Sequence, residues 1–301
     1  MISLIKYYSQ LLKLRLSLTV VISATAGYLI GVQDFILQEL VLLILGGFFV
    51  TGSANGFNQV LEKEYDAVME RTHLRPLPQK KLKTLNAILF SFIIGVIGLY
   101  CLSLIKPHGS FYGYLSKSSA FGLLSLMIYV LSYTPLKRMS TVSIFIGAIP
   151  GAIPVMLGWV AATDAFGLAV GILFAIQFLW QFPHFISISW IRDDEYKKAG
   201  FKMMYGGAKG TYAVYICLFC AILMTIVSVL PFFLDLKILN LSLFASLIIF
   251  SLGIWFANNC YVLLKQLDNH SARKLMICSL AYLPLMQIVY VVDKWVSMWF
   301  F

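Results

Sequence analysis

Nine long apolar segments constrain this chain more than any other feature of its sequence. A helix needs about 20 residues to cross the roughly 30 Å hydrocarbon core of a membrane. Segments of about that length lie at residues 16–33, 38–60, 85–105, 118–135, 141–162, 165–190, 211–233, 238–263 and 275–297. Lipid offers the backbone no hydrogen-bond partners, so only helices and closed barrels cross it. The sequence therefore predicts an all-α polytopic membrane protein with nine transmembrane helices.

The composition excludes the main soluble classes of protein. Of the 301 residues, 60% are hydrophobic and only 12% are charged, whereas a soluble domain has about twice that charged share. This excludes an ordinary cytosolic enzyme, a disordered protein and a disulfide-stapled secreted module. We find no polar linker, and we therefore expect residues 1–301 to form a single integral membrane domain.

Basic residues are distributed unevenly between the loops. The net charge of +10 comes from 23 lysines and arginines against 13 acidic residues. Most of the basic residues precede the first segment or follow the second, fourth, sixth and eighth. Only four lie on the other side: Lys106, Lys117, Lys237 and Lys294. Cytoplasmic loops carry such an excess, so the pattern predicts a cytoplasmic N-terminus and an external C-terminus, and it does not indicate a nucleic-acid partner.

An acidic stripe lies at the end of the second segment. Its members, Asn58, Glu62 and Asp66, are four residues apart, which places three oxygen-bearing side chains along one side of a helix. Carboxylates at membrane depth need a partner, and Mg²⁺ bridging to a phosphate substrate suits such oxygens. A solvated helix end with ordinary ion pairs is the alternative, and the spacing alone does not separate the two.

Two arginines follow the stripe closely. Arg71 and Arg75 flank Thr72 and Pro76 in one compact run. A metal ion together with arginines is the arrangement that a diphosphate needs, because one guanidinium group can bind two phosphate oxygens at once. The alternative, that these residues only belong to the positive excess of the loop, explains the neighbouring lysines better than the arginines.

The end of the sixth segment carries a second acidic cluster, Asp193, Asp194 and Glu195, followed by Tyr196. By the charge pattern it lies on the same side of the membrane as the acidic stripe. The two clusters could therefore face each other across one cavity. A solvated hairpin loop is the alternative that the sequence alone favours.

A polar and aromatic group, Trp180, Gln181 and His184, lies inside the sixth segment. His184 is the only histidine that we assign to an apolar segment. An ionisable group within the membrane is a functional candidate by default. Tryptophan, phenylalanine and imidazole side chains would suit a flat ligand such as a porphyrin, with the imidazole as an iron ligand. A hydrogen bond between helices is the alternative.

These motifs together resemble those of the UbiA superfamily of intramembrane prenyltransferases. The acidic stripe resembles its first aspartate-rich motif, and the run from Asp66 to Leu77 is similar to the version in its heme-farnesylating members. Residues 133–138, 147–159, 180–185 and 195–204 agree as well, and the resemblance covers about residues 10–290. Glu62 and Glu195 stand where the family commonly has aspartate, and Leu14 occupies the middle of its usual Lys-Pro-Arg.

The resemblance implies a UbiA-type bundle that transfers farnesyl from farnesyl diphosphate to protoheme IX, with Mg²⁺ as cofactor, in a bacterial-type inner membrane. The heme product would then pass to a terminal oxidase or to heme A synthase. The resemblance implies catalytic roles for Asn58, Glu62, Asp66, Arg71 and Arg75. It implies metal ligands in Asn58, Glu62, Asp66, Asp193, Asp194 and Glu195. It implies substrate contacts from Lys137, Arg138, Trp180, Gln181, His184 and Tyr196.

Two other functions remain open at this point. A prenyltransferase acting on a quinone precursor or another aromatic acceptor would share the acidic stripe. It would not be expected to carry the run from Trp180 to Phe185, or the Arg71–Thr72 run, in this form. A membrane transporter would also combine nine helices with intramembrane carboxylates. We find no pair of matching interrupted helices in two halves, which would be typical of many transporters.

Overall fold

The computed structural model describes residues 2–106, 110–111, 115–234 and 236–300, and most of these residues are helical. In chain order the helices are α1 (Ile2–Leu12), α2 (Leu14–Gly31), α3 (Leu37–Leu61), α4 (Lys63–Asp66), α5 (Thr84–Ser103), α6 (Lys117–Met127), α7 (Thr134–Met139), α8 (Val142–Thr163), α9 (Leu168–Ile191), α10 (Asp193–Lys198), α11 (Thr211–Phe233), α12 (Leu243–Gln266) and α13 (Asn269–Phe300). A π-helical segment, Ile128–Tyr133, joins α6 to α7. Two short antiparallel strands, β1 (Ser110–Phe111) and β2 (Leu115–Ser116), precede α6.

Nine helices within the described ranges are long and apolar enough to cross a membrane. Eight of them are α2, α3, α5, α8, α9, α11, α12 and α13. The ninth, Lys117–Met139, consists of α6, the π-helical segment and α7 in continuous succession. The predicted all-α polytopic fold is therefore confirmed, and the chain is an integral membrane protein.

Two of these helices begin more than four residues from the position that the sequence predicts. The eighth span begins at Leu243 rather than at 238, because Ser242 caps it: the Ser242 hydroxyl accepts a hydrogen bond from Ala245 N at 3.1 Å, and Asp293 accepts one from Ser242 N at 2.8 Å. The ninth span begins at Asn269 rather than at 275, because the polar turn before the apolar run is helical too. Hydropathy alone detects neither a cap nor a polar first turn.

Glycines bring α8 into close contact with α2. A methyl group on Gly158 would lie 1.8 Å from the Ala24 carbonyl oxygen, and one on Gly27 would lie 2.0 Å from the Val155 carbonyl oxygen. Small residues of this kind allow helix backbones to approach within a membrane. Helix α8 also packs on α6 and α9, and it is the most deeply buried of the nine spans. It therefore forms the centre of the bundle.

The two prolines inside α8 do not end the helix. Pro150 and Pro154 both lie inside a helix that runs without a break from Val142 to Thr163. Because Pro154 has no backbone N–H, the Pro150 carbonyl loses its usual helical donor. Ser125 on α6 donates a hydrogen bond to that carbonyl at 3.4 Å. A neighbouring helix thus satisfies the group that the proline leaves free.

Three of the four basic residues predicted to lie on the external side form contacts at one end of the bundle, which we call the opposite end. Lys117 donates to Asp164 at 2.9 Å. Lys106 lies 3.9 Å from Glu39, and Lys294 donates to the carbonyls of Ile30 and Val32 at the end of α2. Cations are favourable beside a helix C-terminus. The acidic stripe lies at the other end of the bundle, which we call the acidic end.

Candidate active site

The acidic stripe crosses the junction between α3 and α4 without losing its register. Helix α3 ends at Leu61, and Glu62 joins it to α4. Glu62 N donates to the Asn58 carbonyl at 2.9 Å, and Asp66 N donates to the Glu62 carbonyl at 2.7 Å. The four-residue spacing of helical hydrogen bonds therefore continues through the junction. All three side chains of the stripe are buried, with Asp66 only 1% exposed.

Each member of the stripe contacts a cation from another part of the chain. One cation comes from the loop after α4, one from α7 and one from the junction between α1 and α2. The contacts are Asp66 Oδ2 to Arg75 Nη1 at 2.7 Å, Glu62 Oε1 to Lys137 Nζ at 2.8 Å, and Asn58 Oδ1 to Lys13 Nζ at 3.1 Å. Two carboxylates, one amide and three basic side chains therefore lie together in one buried site. This combination suits the binding of an anion together with a metal ion.

The second oxygen of Asp66 fits a divalent cation. Asp66 Oδ1 is buried and has no hydrogen-bond partner among the described residues. A buried oxygen of a charged group is costly to leave without a partner. Asp66, Glu62 and Asn58 all offer oxygen ligands of the hard type that Mg²⁺ prefers. No group of three or more Asp, Glu, His or Cys side chains suited to a metal occurs in the described ranges, so substrate oxygens or waters would supply the remaining ligands.

Lys13 is the site residue that the motif analysis does not assign. It lies between α1 and α2 in a left-handed conformation, with φ 46°. Burial, together with the nearby charges of Arg75 and Lys137, lowers the pKa of Lys13 to about 7, although Glu62 and Asp66 oppose this shift. An anion bound here would favour the charged form. The one sequence signal for Lys13 is its place at the start of the Lys-Leu-Arg run, where the resembled family has Lys-Pro-Arg.

Aromatic contacts connect the stripe to the interior of the bundle. The Lys137 ammonium lies 4.4 Å from the centre of the Tyr133 ring. That ring packs on Gly147, where an added methyl group would lie 2.6 Å away. It also lies 6.4 Å from Phe185, which in turn lies 5.8 Å from the His184 ring. The stripe and His184 are therefore linked by a continuous series of aromatic side chains.

His184 contacts α13 through one ring nitrogen. Its Nδ1 lies 2.8 Å from Ser279 Oγ, and its ring stacks on Trp180 with centroids 4.7 Å apart. Trp180 Nε1 donates to the Ser279 carbonyl at 2.8 Å. The hydrogen bond between helices that the sequence offered as an alternative is thus present. It occupies Nδ1 alone, since Nε2 has no protein partner in the described part of the chain, and contact with a porphyrin stays a prediction.

The Gln181 side chain packs between α9 and α8. Its side chain is 2% exposed, and it donates to the Ala148 carbonyl of α8 at 2.8 Å. It lies so close to Gly151 that a methyl group there would be 1.9 Å from Gln181 Oε1. These contacts support a role in joining α8 to α9. The predicted substrate contact of Gln181 stays a prediction.

Three further predicted residues differ in the contacts that they form. Arg71 is exposed and forms no ion pair with any described residue, unlike Arg75 in the same run. The Arg138 guanidinium lies 4.3 Å above the Tyr65 ring. Phe201 contacts both Tyr65 and Tyr196, at 5.7 and 6.0 Å between centroids. Arg138 and Tyr196 therefore share one aromatic cluster, while Arg71 stays outside it.

The second acidic cluster lies at the acidic end but is paired locally. The Lys202 backbone N–H donates to the Lys137 carbonyl at 2.6 Å, which ties the loop after α10 to α7. Asp194 is exposed. The other two carboxylates form the ion pairs Asp193 with Lys197 at 2.7 Å and Glu195 with Arg192 at 2.7 Å. The two acidic groups are thus brought to one end of the bundle, and their joint metal binding stays a prediction.

Known proteins match the chain over nearly its whole length. The sequence profile of the UbiA prenyltransferase family matches residues 20–284. A protoheme IX farnesyltransferase of Flavobacterium psychrophilum is 40% identical over 297 residues, which cover 97% of this chain and 95% of that protein. A solved digeranylgeranylglyceryl phosphate synthase has a TM-score of 0.78 at 22% identity, covering 96% of this chain and 98% of its own. A UbiA homolog from Archaeoglobus fulgidus bound to GPP and Mg²⁺ has a TM-score of 0.68 at 16% identity, covering 95% and 99%.

Proposed function

The chain belongs to the UbiA prenyltransferase family, and from this premise we propose that it transfers the farnesyl group of farnesyl diphosphate to protoheme IX. The observation that carries this function is the 40% identity to a protoheme IX farnesyltransferase across almost the whole length of both chains. The chain is therefore an enzyme of prenyl transfer, and the transporter alternative is set aside.

The reaction joins the two substrates and consumes one water. The bond between the farnesyl carbon and the diphosphate oxygen breaks, and a vinyl carbon of protoheme forms a new carbon–carbon bond to that farnesyl carbon. Water adds to the adjacent vinyl carbon and releases a proton, which gives the hydroxyethylfarnesyl side chain of heme O. The diphosphate leaves with the electron pair of the broken bond.

The residues of the acidic end suit the departure of diphosphate. Asn58, Glu62 and Asp66 would hold Mg²⁺, which makes the diphosphate a better leaving group by withdrawing its negative charge. The cations paired with the stripe would then contact the diphosphate oxygens, where charge builds up as the bond breaks. These cations are Lys13, Arg75 and Lys137. Arg71 and Arg138 are proposed as outer contacts of the same group.

The metal proposal has support from a relative and from the fold. The UbiA homolog from Archaeoglobus fulgidus was solved with GPP and Mg²⁺. In this chain the buried Asp66 Oδ1 has no hydrogen-bond partner among the described residues, while Asp66 Oδ2 contacts Arg75. Asp193, Asp194 and Glu195 would contribute further metal ligands from the loop beyond α9. On diphosphate binding, Asp193 would exchange Lys197, and Glu195 would exchange Arg192, for the metal ion.

The aromatic side chains would receive the second substrate. Trp180, His184 and Tyr196 offer flat surfaces and one imidazole, which suit a porphyrin ring and its iron. Tyr133 and Phe185 lie between His184 and the stripe. An apolar wall of this kind excludes water from the farnesyl cation until the carbon–carbon bond has formed. Heme O would then pass to a terminal oxidase, directly or after conversion by heme A synthase.

Lys13→Met is expected to weaken the binding of farnesyl diphosphate about tenfold or more, because a hydrogen bond from a charged group contributes about 1.5–3 kcal/mol. Lys13→Arg keeps the charge and should keep most of the affinity. Calorimetric titration of the purified protein with farnesyl diphosphate and Mg²⁺ measures both. Arg15→Met, which changes an exposed neighbour, is the matched control. Wild-type affinity in Lys13→Met would remove Lys13 from the diphosphate site.

We also propose that residues 1–301 form one domain in a bacterial-type inner membrane, with the acidic end facing the cytoplasm. The excess of lysine and arginine at that end supports this orientation. Reporter fusions at Lys81 and Lys202 should report the cytoplasm, and fusions at Ser116 and Phe301 should report the outside. A cytoplasmic C-terminus would mean that the number of spans is wrong by one.

The choice of acceptor can be tested by following diphosphate release. The purified protein is given farnesyl diphosphate and Mg²⁺, and then either protoheme IX or a phenolic quinone precursor. We expect release to depend on protoheme and to be insensitive to the phenol. Release that depends on the phenol alone would instead favour the quinone-precursor alternative.

A further inference from the structure

Ser279 on α13 forms three contacts that no sequence motif assigns. Its hydroxyl oxygen lies 2.6 Å from the Met276 carbonyl and 2.8 Å from His184 Nδ1. Its own carbonyl accepts the hydrogen bond from Trp180 Nε1 at 2.8 Å. Ser279 is fully buried. One residue of α13 therefore holds two neighbouring side chains of α9 in place.

The hydrogen atoms in this group can be assigned from its geometry. A carbonyl oxygen carries no proton, so the short contact with Met276 must contain the hydroxyl proton of Ser279. Serine in a helix commonly donates to the carbonyl of the preceding turn in this way. A hydroxyl has only one proton to donate. Toward His184, the Ser279 oxygen must therefore accept, and the proton in that contact must belong to Nδ1.

This assignment determines the other ring nitrogen. In a neutral imidazole one nitrogen carries the proton and the other carries the lone pair. With the proton on Nδ1, the lone pair of His184 lies on Nε2, the atom that no described residue contacts through a hydrogen bond. The hydrogen bond that one ring nitrogen forms commonly sets which nitrogen binds a metal.

We propose that Ser279 is a positioning residue that fixes His184 in the Nδ1–H tautomer, so that Nε2 carries the lone pair available to the iron of protoheme. The tautomer follows from the contacts of this chain alone. The use of Nε2 by iron rests on the proposed function. Ser279 itself touches neither substrate, and it acts through the His184 ring.

The tautomer is measurable without heme. In the full chain, labelled with ¹⁵N-histidine and placed in lipid nanodiscs, the nitrogen chemical shifts distinguish a protonated Nδ1 from a protonated Nε2. The His184→Ala protein identifies the His184 signals by their loss. We expect Nδ1 protonated and Nε2 bare at a pH where the ring is neutral. A proton on Nε2 would overturn the proposal, whatever the substrate of the enzyme is.

The consequence for heme binding is tested with three variants. Ser279→Ala should lose the single tautomer and bind protoheme about 10- to 100-fold more weakly, with an altered Soret band, as loss of such an orienting partner does at metal sites. Ser279→Thr keeps the hydroxyl and should restore both. Ser187→Ala is the matched control, because Ser187 is an equally buried serine that donates to the His184 backbone carbonyl instead of the ring.

The outcomes separate this inference from the proposed function. Ser279→Ala with the wild-type tautomer and wild-type heme affinity would overturn the positioning role. Equal loss of heme affinity in Ser187→Ala would also overturn it, since the effect would then be general loosening of α9. Failure of the proposed function would appear elsewhere, as wild-type protein that yields no farnesylated heme while its His184 tautomer remains as expected.

Discussion

Asp66→Asn is expected to reduce farnesyl transfer at least about a hundredfold, the scale of loss when one stabilising group at a developing charge is removed. The substitution keeps the size of the side chain but removes its charge. It therefore weakens both the contact to Arg75 and the oxygen that we propose as a Mg²⁺ ligand. Turnover is measured at saturating Mg²⁺ by chromatography of the heme product. Membrane insertion and helical content should remain at wild-type levels.

Glu64→Gln is the matched control for this result. Glu64 lies two residues earlier in the same short helix, and it is exposed. Removing its charge should change turnover little, because no cation of the site contacts it. Near wild-type activity of Asp66→Asn at saturating Mg²⁺ would contradict the assignment of Asp66 to the metal. Equal losses in both variants would point to the stability of α4 instead.

His184→Ala is expected to lose protoheme binding and farnesyl transfer while binding farnesyl diphosphate as well as the wild type does. The reason is the separation of the two groups along the aromatic series: the diphosphate would contact the stripe and its cations, and the heme would contact His184 and Trp180. A Soret titration and a diphosphate titration on the same purified variant measure the two affinities.

The opposite pattern would give His184 a structural role only. If the ring does no more than join α9 to α13 through Ser279, both affinities should fall together and the melting temperature should fall with them. Unchanged heme affinity with lost stability would remove His184 from the substrate contacts. His270→Ala, which changes an exposed histidine of α13, serves as the control for the loss of an imidazole elsewhere.

The helices of this protein were predictable because lipid imposes one rule on every span. Each needs about 20 apolar residues, and all nine predicted spans are present in the described ranges. The acidic stripe was predictable for a related reason. Its two carboxylates directly follow an apolar segment at helical spacing, and the four-residue spacing of Asn58, Glu62 and Asp66 continues through the junction between α3 and α4.

The direction of side chains inside the bundle was not predictable. A helix that is apolar all round has no polar face to show which side meets a cavity and which side meets a neighbour. Trp180 and Gln181 are adjacent in sequence, yet one donates to α13 and the other to α8. Only the packing of α9 against both helices decides this.

The partners of the stripe depend on contacts between distant parts of the chain. Lys13 and Lys137 lie 45 and 75 residues from the side chains that they contact. Arg71 and Arg75 occupy the same run, and the sequence treats them alike. The fold of the loop after α4 turns Arg75 toward Asp66 and leaves Arg71 exposed. No local pattern distinguishes the two arginines.

The central proposal, farnesyl transfer to protoheme, is tested most directly by the mass of the heme product. The purified protein is incubated with protoheme IX, farnesyl diphosphate and Mg²⁺, and the extracted heme is analysed by mass spectrometry. We predict a heme enlarged by one farnesyl group and one hydroxyl group, which is absent when Asp66→Asn replaces the wild type. Unmodified heme, recovered from a protein that prenylates a quinone precursor under the same conditions, would contradict the proposal.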